Sequence, residues 1–135
     1  MSPPAKTSNA AITRAARKLI ESNGVENLTM SALATAVGIR APSLYKRYSG
    51  RDAILGAVEI ELFADLGARM TRTLKKARTK KLEATCHAYR SFAHNHPNSY
   101  KLMFSASSLH SEEAENIRVR AVLPVIEYLT SIVGP

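Results

Sequence analysis

The stretch LTMSALATAVGIRAPSLYKRYSGRDAIL, residues 28–55, decides the fold of this chain. Thr29 is a good N-cap for a short helix whose apolar residues recur three and four positions apart. Gly38 ends that helix, because glycine takes the left-handed conformation of a helix C-cap without steric cost. A second short helix begins near Ala41 or Pro42, since proline at a first helical position loses no hydrogen bond. Two short helices joined by a tight turn containing glycine predict a helix-turn-helix.

The second of these helices has a composition suited to contact with DNA. Leu44 is expected to face the core, and the rings of Tyr45 and Tyr48 can lean on it. The remaining side chains are mainly basic or hydroxyl-bearing, and only Asp52 opposes them; they are Arg40, Ser43, Lys46, Arg47 and Arg51. Arginine and lysine bind phosphates or guanine edges, and hydroxyl groups bond to phosphate oxygens. A helix of about seven residues is unstable alone in water, so its neighbours must hold it.

The remaining spacing predicts helices throughout and no strands, so the fold class is all-α. Residues 1–8 read as a disordered arm, in which Lys6 is either a DNA contact or part of an inert tail. A helix over residues 9–23 ends at Gly24, and a long helix runs from residue 51 to about 76. Val25 is expected to fill the gap between the first two helices, together with Leu28.

Three further helices are predicted in the C-terminal half. The helix over residues 82–95 has an apolar face, made of Leu82, Cys86, Tyr89, Phe92 and Ala93. Pro97 breaks it, and a short apolar helix follows. After a loop with Ser107 and Ser108, Ser111 is expected to cap a last helix, within which Pro124 should kink or divide the helix. The apolar residues that carry that helix are Ile117, Val122, Ile126, Leu129 and Val133.

The positive charge is confined to the half that contains the helix-turn-helix. The net charge is +8; residues 1–81 carry 15 Lys and Arg against 6 Asp and Glu, whereas residues 82–135 carry 4 against 5. Such asymmetry indicates a half that binds a polyanion and a neutral half with another task. Cys86 is the only cysteine, which agrees with a reducing cytoplasm, and no apolar run is long enough to span a bilayer.

No arrangement of residues in the sequence indicates catalysis, a cofactor or a metal. Cys86 and His87 are neighbours, so on a helix they point about 100° apart and do not form a nucleophile–base pair. The four histidines match no standard zinc spacing. Acidic residues 112, 113 and 115 are better explained by a favourable position at a helix N-terminus. We therefore expect neither an enzyme nor a cofactor.

At the residues of the helix-turn-helix the chain resembles the DNA-binding domain of the tetracycline-repressor (TetR) family of bacterial regulators. The likeness rests on residues 37–39, 43–48 and 51–55 and extends over about residues 12–66. Arg47 departs from it, because the family commonly has histidine there. The resemblance implies a three-helix DNA-binding domain at residues 9–55 and a helical ligand-binding and dimerisation domain at residues 56–135, with a linker helix over about 51–77. The second domain is expected to be incomplete at its C-terminal end.

The resemblance also implies roles for particular residues. The residues expected to face bases are Arg40, Pro42, Ser43 and Lys46. The residues expected to hold phosphates are Thr29, Tyr45, Arg47, Tyr48 and Arg51, although Thr29 can equally be a purely structural cap and Tyr48 a core residue. Candidates to line a small-molecule pocket are Tyr89, Phe92, Met103, Phe104 and Tyr128, with ordinary core packing as the alternative for each.

The function expected from the resemblance is sequence-specific DNA binding by a transcriptional regulator. Its partners would be a palindromic double-stranded operator, a small-molecule effector that releases a repressor from DNA, and a second copy of the chain; no membrane is implied. One alternative is a module that binds polyanions without sequence preference. Another is a small helical enzyme acting in the C-terminal half, for which the sequence supplies only scattered histidines.

Overall fold

The computed structural model describes residues 7–105 and 111–134, and within these ranges it contains helices and no strand. The all-α prediction is confirmed. The seven described helices are α1 (Asn9–Asn23), α2 (Met30–Val37), α3 (Ala41–Arg47), α4 (Arg51–Lys76), α5 (Lys81–Asn95), α6 (Pro97–Met103) and α7 (Glu112–Val133), and one 3₁₀ turn (Val25–Asn27) joins α1 to α2. Within residues 7–105 and 111–134, every helix is too short or too polar to span a bilayer.

The predicted helix ends are confirmed by their capping hydrogen bonds. The Thr29 hydroxyl accepts the Ala32 N–H at 3.0 Å, and the Ser111 hydroxyl caps α7 in the same way. Gly38 has a φ of 73°, the left-handed conformation predicted for it. Ser8, which was assigned to the arm, instead caps α1. The other arm residue singled out, Lys6, lies outside the described residues, as do Ser107 and Ser108.

A single hydrophobic core runs through the described part of the chain, and α4 is its centre. Helix α1 packs against α4, and α2 and α3 contribute to the same core, in which Leu33, Leu44 and Ile54 are at most 1% exposed. Farther along, α4 packs against α5, α6 and α7. Leu28 is buried and Val25 packs against the core, as predicted. The long helix is therefore shared by the helix-turn-helix and the C-terminal half.

The apolar residues expected to carry α7 do not all face the core. Val122, Ile126 and Val133 are 40%, 50% and 82% exposed, whereas Ala121 is buried against α4. A Cβ atom at Gly67 would lie 2.8 Å from the Cα atom of Ala121, so the two helices approach closely where neither has a bulky side chain. The close approach fixes which face of α7 turns inward. Hydrophobic spacing favoured the bulky residues instead.

Two other expectations for the C-terminal half are corrected. Of the predicted apolar face of α5, Phe92 is buried, but Leu82 is 40% exposed and Cys86 is exposed, and Thr85 from outside that face is buried. Pro124 does not divide the last helix, which is continuous from Glu112 to Val133. Proline removes one N–H donor and its ring crowds the carbonyl four residues earlier, so it disturbs one turn while the hydrogen bonds on either side continue the helix.

Candidate nucleic-acid interface

The α3 helix presents polar and basic side chains to solvent while a single residue anchors it. Leu44 is fully buried, and Tyr45 is 51% exposed. The four side chains predicted to face bases are all exposed; they are Arg40, Pro42, Ser43 and Lys46. All four are therefore open to solvent on α3 and on the residue that precedes it, where nothing in the described part of the chain buries them.

The turn before α3 is held by backbone hydrogen bonds. The Ile39 N–H donates to the Ala34 carbonyl at 3.0 Å, which closes the end of α2 around Gly38. The Arg40 carbonyl then accepts the N–H groups of Ser43 and Leu44, which starts α3. A short helix gains its stability from such fixed ends and from burial of its apolar residue. The exposed surface of α3 is therefore presented in one orientation.

Three of the residues predicted to hold phosphates, Thr29, Arg47 and Arg51, have partners within the protein. The Arg51 Nε donates to the Leu28 carbonyl at 2.9 Å, and its Nη2 donates to the Val25 carbonyl. These bonds fasten the start of α4 to the chain between α1 and α2. The Thr29 hydroxyl is occupied as the cap of α2 but remains exposed.

Arg47 joins α3 to the start of α1. Its Nη1 donates to the Thr7 carbonyl and lies 3.4 Å from the Asn9 Oδ1. The side chain of Arg47 is exposed, so its remaining N–H groups face solvent. Tyr48, by contrast, is half-buried and packs against the core. Of the residues predicted to hold phosphates, Thr29, Tyr45 and Arg47 are therefore exposed, whereas Tyr48 and Arg51 are half-buried.

An ion-pair network that sequence reasoning missed fastens α1 to α4. The two oxygens of Asp65 bond to Arg17 Nη2 at 2.6 Å and to Arg69 Nε at 2.7 Å, and Arg17 also reaches Glu61. Burial raises the pKa of Asp65, but the hydrogen bonds and charges of the two arginines outweigh it and lower the pKa below its ordinary value. Asp65 is therefore ionised at neutral pH, and it holds both arginines.

A second missed contact joins α1 to α6. One Glu21 carboxylate oxygen accepts the Ser99 N–H at 2.9 Å and the Ser99 hydroxyl at 2.8 Å, and the Asn98 side-chain amide donates to the Glu21 carbonyl. Ser99 is fully buried. Glu21, on α1, thus caps α6, a helix of the C-terminal half. No local signal could reveal this pairing, because the partners lie 77 and 78 residues apart.

The predicted pocket residues do not share one environment. Phe92 and Met103 are buried in the core, at 1% and 0% exposure. Phe104 is 45% exposed and packs edge-on against Phe63. The Tyr89 hydroxyl bonds to that of Tyr100 at 2.8 Å; burial raises the pKa of Tyr89, and this hydrogen bond raises it further. Tyr128 is half-buried on α7.

An apolar cleft of about 180 Å³ opens where α4, α5 and α7 meet, and Tyr89 is the one predicted pocket residue in its wall. We call it the apolar cleft and define it by the six residues that line it: Met70, Leu82, Thr85, Cys86, Tyr89 and Val125. Leu82 and Cys86 belong to the predicted apolar face of α5 but are exposed. Their exposure is what leaves the cleft open.

The described histidines do not converge on a metal site. His87 lies 4.0 Å from Glu83, and His96 stacks against Phe92 with 5.1 Å between ring centroids. Across residues 7–105 and 111–134, no three His, Cys, Asp or Glu side chains come together as metal ligands.

Family models match the chain in two separate ranges. Residues 12–58 match the model of bacterial regulatory proteins of the tetR family, and residues 82–135 match the tetracyclin repressor-like C-terminal domain. The chain belongs to the TetR family. Helices α2 and α3 lie within the first of these ranges, so the resemblance of the helix-turn-helix to this family is confirmed.

Two curated relatives of this TetR family chain match nearly all of it. An uncharacterized HTH-type transcriptional regulator of Mycobacterium tuberculosis is 33% identical over 131 residues, which is 95% of this chain and 60% of the relative. One from Bacillus subtilis is 25% identical over 130 residues, which is 96% of this chain and 67% of the relative. The chain thus spans about two thirds or less of their lengths.

Solved structures share the TetR family fold described above. A protein with unknown function from a Rhodococcus species has a TM-score of 0.83 at 21% identity. The match covers 96% of this chain and 71% of the Rhodococcus chain. A possible TetR family transcriptional regulator from Streptomyces coelicolor has a TM-score of 0.62 at 17% identity, covering 90% and 58%. At these identities the likeness concerns the fold alone.

Proposed function

We propose that this chain is a sequence-specific DNA-binding regulator that binds a palindromic operator as a dimer and responds to a small molecule. The observation that carries the DNA-binding part is the exposed outer side of α3, held in place by buried Leu44. Two copies related by a two-fold axis would place their α3 helices in successive major grooves, about 34–36 Å apart.

Base reading is assigned to the exposed residues of α3 and of the turn before it. Arg40 and Lys46 have the donors for guanine edges, and Pro42 can contact a thymine methyl group. Ser43 lies among them and can bond either a base or a phosphate. These four side chains are exposed together, which is what direct reading of a groove requires.

Phosphate contacts are assigned to exposed Tyr45, to Arg47 and to Thr29. Arg51 is better assigned to bracing the domain, since its Nε and Nη2 already bond to two backbone carbonyls. Tyr48 is half-buried and supports α3 from the core side. Phosphate contacts position the protein on DNA without reading sequence, so their loss should weaken binding to all duplexes alike.

The test of DNA binding is selection of bound duplexes from a random pool at roughly physiological salt. An inverted repeat with half-sites about one helical turn apart supports the proposal. Lys46→Ala should then change the preferred sequence, whereas Tyr45→Phe should weaken every duplex and leave the preference intact. Lys101→Ala, an exposed lysine on α6, serves as the control. Tight, salt-sensitive binding with no enriched sequence would instead favour a general polyanion-binding module.

The effector is assigned to the apolar cleft, whose wall is almost entirely apolar and includes the only cysteine of the chain. Cys86 permits a test without knowledge of the natural ligand. N-ethylmaleimide on Cys86 would fill the cleft and should lower affinity for the selected operator, while Cys86→Ser treated identically should keep it. Unchanged affinity of the modified protein, with modification verified by mass, would remove the cleft from the regulatory proposal.

The dimer part of the proposal is supported by the exposed apolar residues of α7, which include Leu123 and Ile126. Apolar surface of this kind on a soluble protein commonly marks an interaction site. Sedimentation analysis of the wild type and of Ile126→Asp would test it. A dimer that dissociates on this substitution supports the proposal, and a monomer at all concentrations contradicts it for this chain.

A further inference from the structure

A groove between α4 and α5 collects positive charge far from the DNA-facing end of the molecule. We call it the basic groove and define it by its lining residues, Arg69, Arg72, Thr73, Lys76, Ala88 and Ser91; its volume is about 280 Å³. Three of the six are cations, and none of the described residues that line it carries a carboxylate. An anion entering this groove would therefore meet no repelling charge in its wall.

The innermost cation of the groove is held in place before any ligand arrives. Arg69 donates through Nε to Asp65 at 2.7 Å, and its guanidinium carbon lies 5.7 Å from the centre of the Phe92 ring. These contacts leave the two terminal nitrogens of the guanidinium free to bond to an anion. A donor fixed in this way loses little conformational entropy on binding.

The other two cations have no such partners. Arg72 and Lys76 are exposed, and in the part of the chain that the structure describes neither is paired with a carboxylate. On α4 the three cations lie at spacings of three and four residues, so they share one face. Across from them α5 contributes only the methyl group of Ala88 and the hydroxyl of Ser91, which leaves room between the helices.

We infer that the basic groove binds a phosphorylated small molecule, through a phosphate monoester or diphosphate group. Two arginine forks and a lysine ammonium match the several oxygens and multiple negative charges of such a group better than the single charge of a carboxylate. The Ser91 hydroxyl can donate a further hydrogen bond from the opposite wall. The proposal is independent of the assignments made for α3.

The position of the groove argues against a DNA backbone as its occupant. At about 1.5 Å per residue, Arg72 lies roughly 30 Å along α4 from Arg51, next to the helix-turn-helix. The groove is also concave and bounded by two helices. A duplex presents a convex row of phosphates, for which an exposed row of cations on one surface would be the matching shape.

Isothermal titration of the full chain with inorganic pyrophosphate at low salt tests the inference. The variant R72Q/K76Q removes two cations of the groove, and K75Q/R78Q removes two neighbouring cations that do not line it. Both variants change the net charge equally, so long-range electrostatics affects them alike. We expect the wild type and K75Q/R78Q to bind one pyrophosphate with similar affinity, and R72Q/K76Q to bind at least about tenfold more weakly.

Three results would overturn the inference. The first is a wild type that shows no saturable binding of pyrophosphate. The second is an equal loss of affinity in both variants, which would assign the binding to overall charge. The third is an R72Q/K76Q variant that binds pyrophosphate normally but loses affinity for non-operator duplex DNA, which would make the groove a DNA contact. Circular dichroism of each variant establishes that it is folded.

Discussion

Removal of the Glu21 carboxylate should destabilise the protein by breaking the contact between α1 and α6. The carboxylate accepts the Ser99 N–H at 2.9 Å and the Ser99 hydroxyl at 2.8 Å, whereas the Asn98 N–H at 3.4 Å contributes little. A hydrogen bond to a charged group contributes about 1.5–3 kcal/mol. Two such bonds therefore give about 3 kcal/mol at the lower end of that range.

The net effect of Glu21→Ala should be somewhat smaller than this sum. Glu21 is only half-buried, so water can replace part of what Ser99 loses. We expect a decrease of about 2 kcal/mol in the free energy of unfolding. Glu21→Gln keeps an acceptor oxygen within reach of Ser99 and should lose only about 1 kcal/mol or less, the contribution of the charge.

Urea unfolding followed by circular dichroism at the helical band measures these differences. Glu127→Ala, an exposed glutamate on α7, is the matched control and should change stability by no more than about 0.5 kcal/mol. The pair Glu21→Ala and Ser99→Ala should also be coupled by about 1 kcal/mol in a double-mutant cycle. A Glu21→Ala variant as stable as Glu127→Ala, or additive effects in the cycle, would refute the reasoning.

Three further substitutions test other parts of the fold. Gly67→Ala should cost about 1–3 kcal/mol, because its Cβ would lie 2.8 Å from Ala121 atoms and α4 and α7 would have to separate. Gly38→Ala should cost about 1–2 kcal/mol through its left-handed backbone alone, since no atom lies within 4 Å of the added Cβ. Asp65→Asn should weaken the acid dependence of stability. The pKa of Asp65 is lowered in the folded protein. Ionised Asp65 therefore stabilises the fold at every pH above its pKa in the unfolded chain, and this stabilisation is lost below about pH 4, as the pH falls through the pKa in the folded protein.

The same unfolding assay checks these three substitutions. Gly50→Ala is the companion to Gly38→Ala, because Gly50 also has open space around its Cβ position but an extended φ of 175°. Equal costs at the two positions would argue against the backbone explanation. A tolerated Gly67→Ala would mean that α4 and α7 adjust freely. If the free energy of unfolding of Asp65→Asn falls as steeply with acid as that of the wild type, Asp65 does not contribute to the acid dependence of stability.

The helix-turn-helix could be predicted from sequence because its signals are local. Thr29, Gly38 and Leu44 each act within a few residues of their own position, so spacing alone gave α2, the turn and α3. The partners of Arg51 and Glu21 could not be predicted, because those contacts depend on how distant helices are packed. The prediction that Arg51 binds phosphate follows from its residue type. It does not take account of the Val25 and Leu28 carbonyls that accept hydrogen bonds from Arg51 in the folded chain.

The C-terminal half was less predictable for a related reason. Hydrophobic spacing assumes that bulky apolar residues face inward, and this held for α1 and α4. It failed for α7, where close approach of Gly67 to Ala121 turned the small residues inward and left Val122 and Ile126 outside. The predicted pocket residues show the same difficulty. Phe92 and Met103 fill the core, whereas Leu82 and Cys86, which were not predicted to line a pocket, line the apolar cleft.

The two bonds from Arg51 to backbone carbonyls determine where the chain can be cut and rejoined. The short loop before α4 looks like a natural graft point for a chimeric regulator with a different DNA specificity. A junction there would separate Arg51 from the carbonyls of Val25 and Leu28, and would replace the residues of α4 that close the core beneath α3. A unit that transplants the proposed recognition surface must therefore carry the first turns of α4 with it, at least through Val58, and vary only the exposed side chains of α3 and of the turn before it.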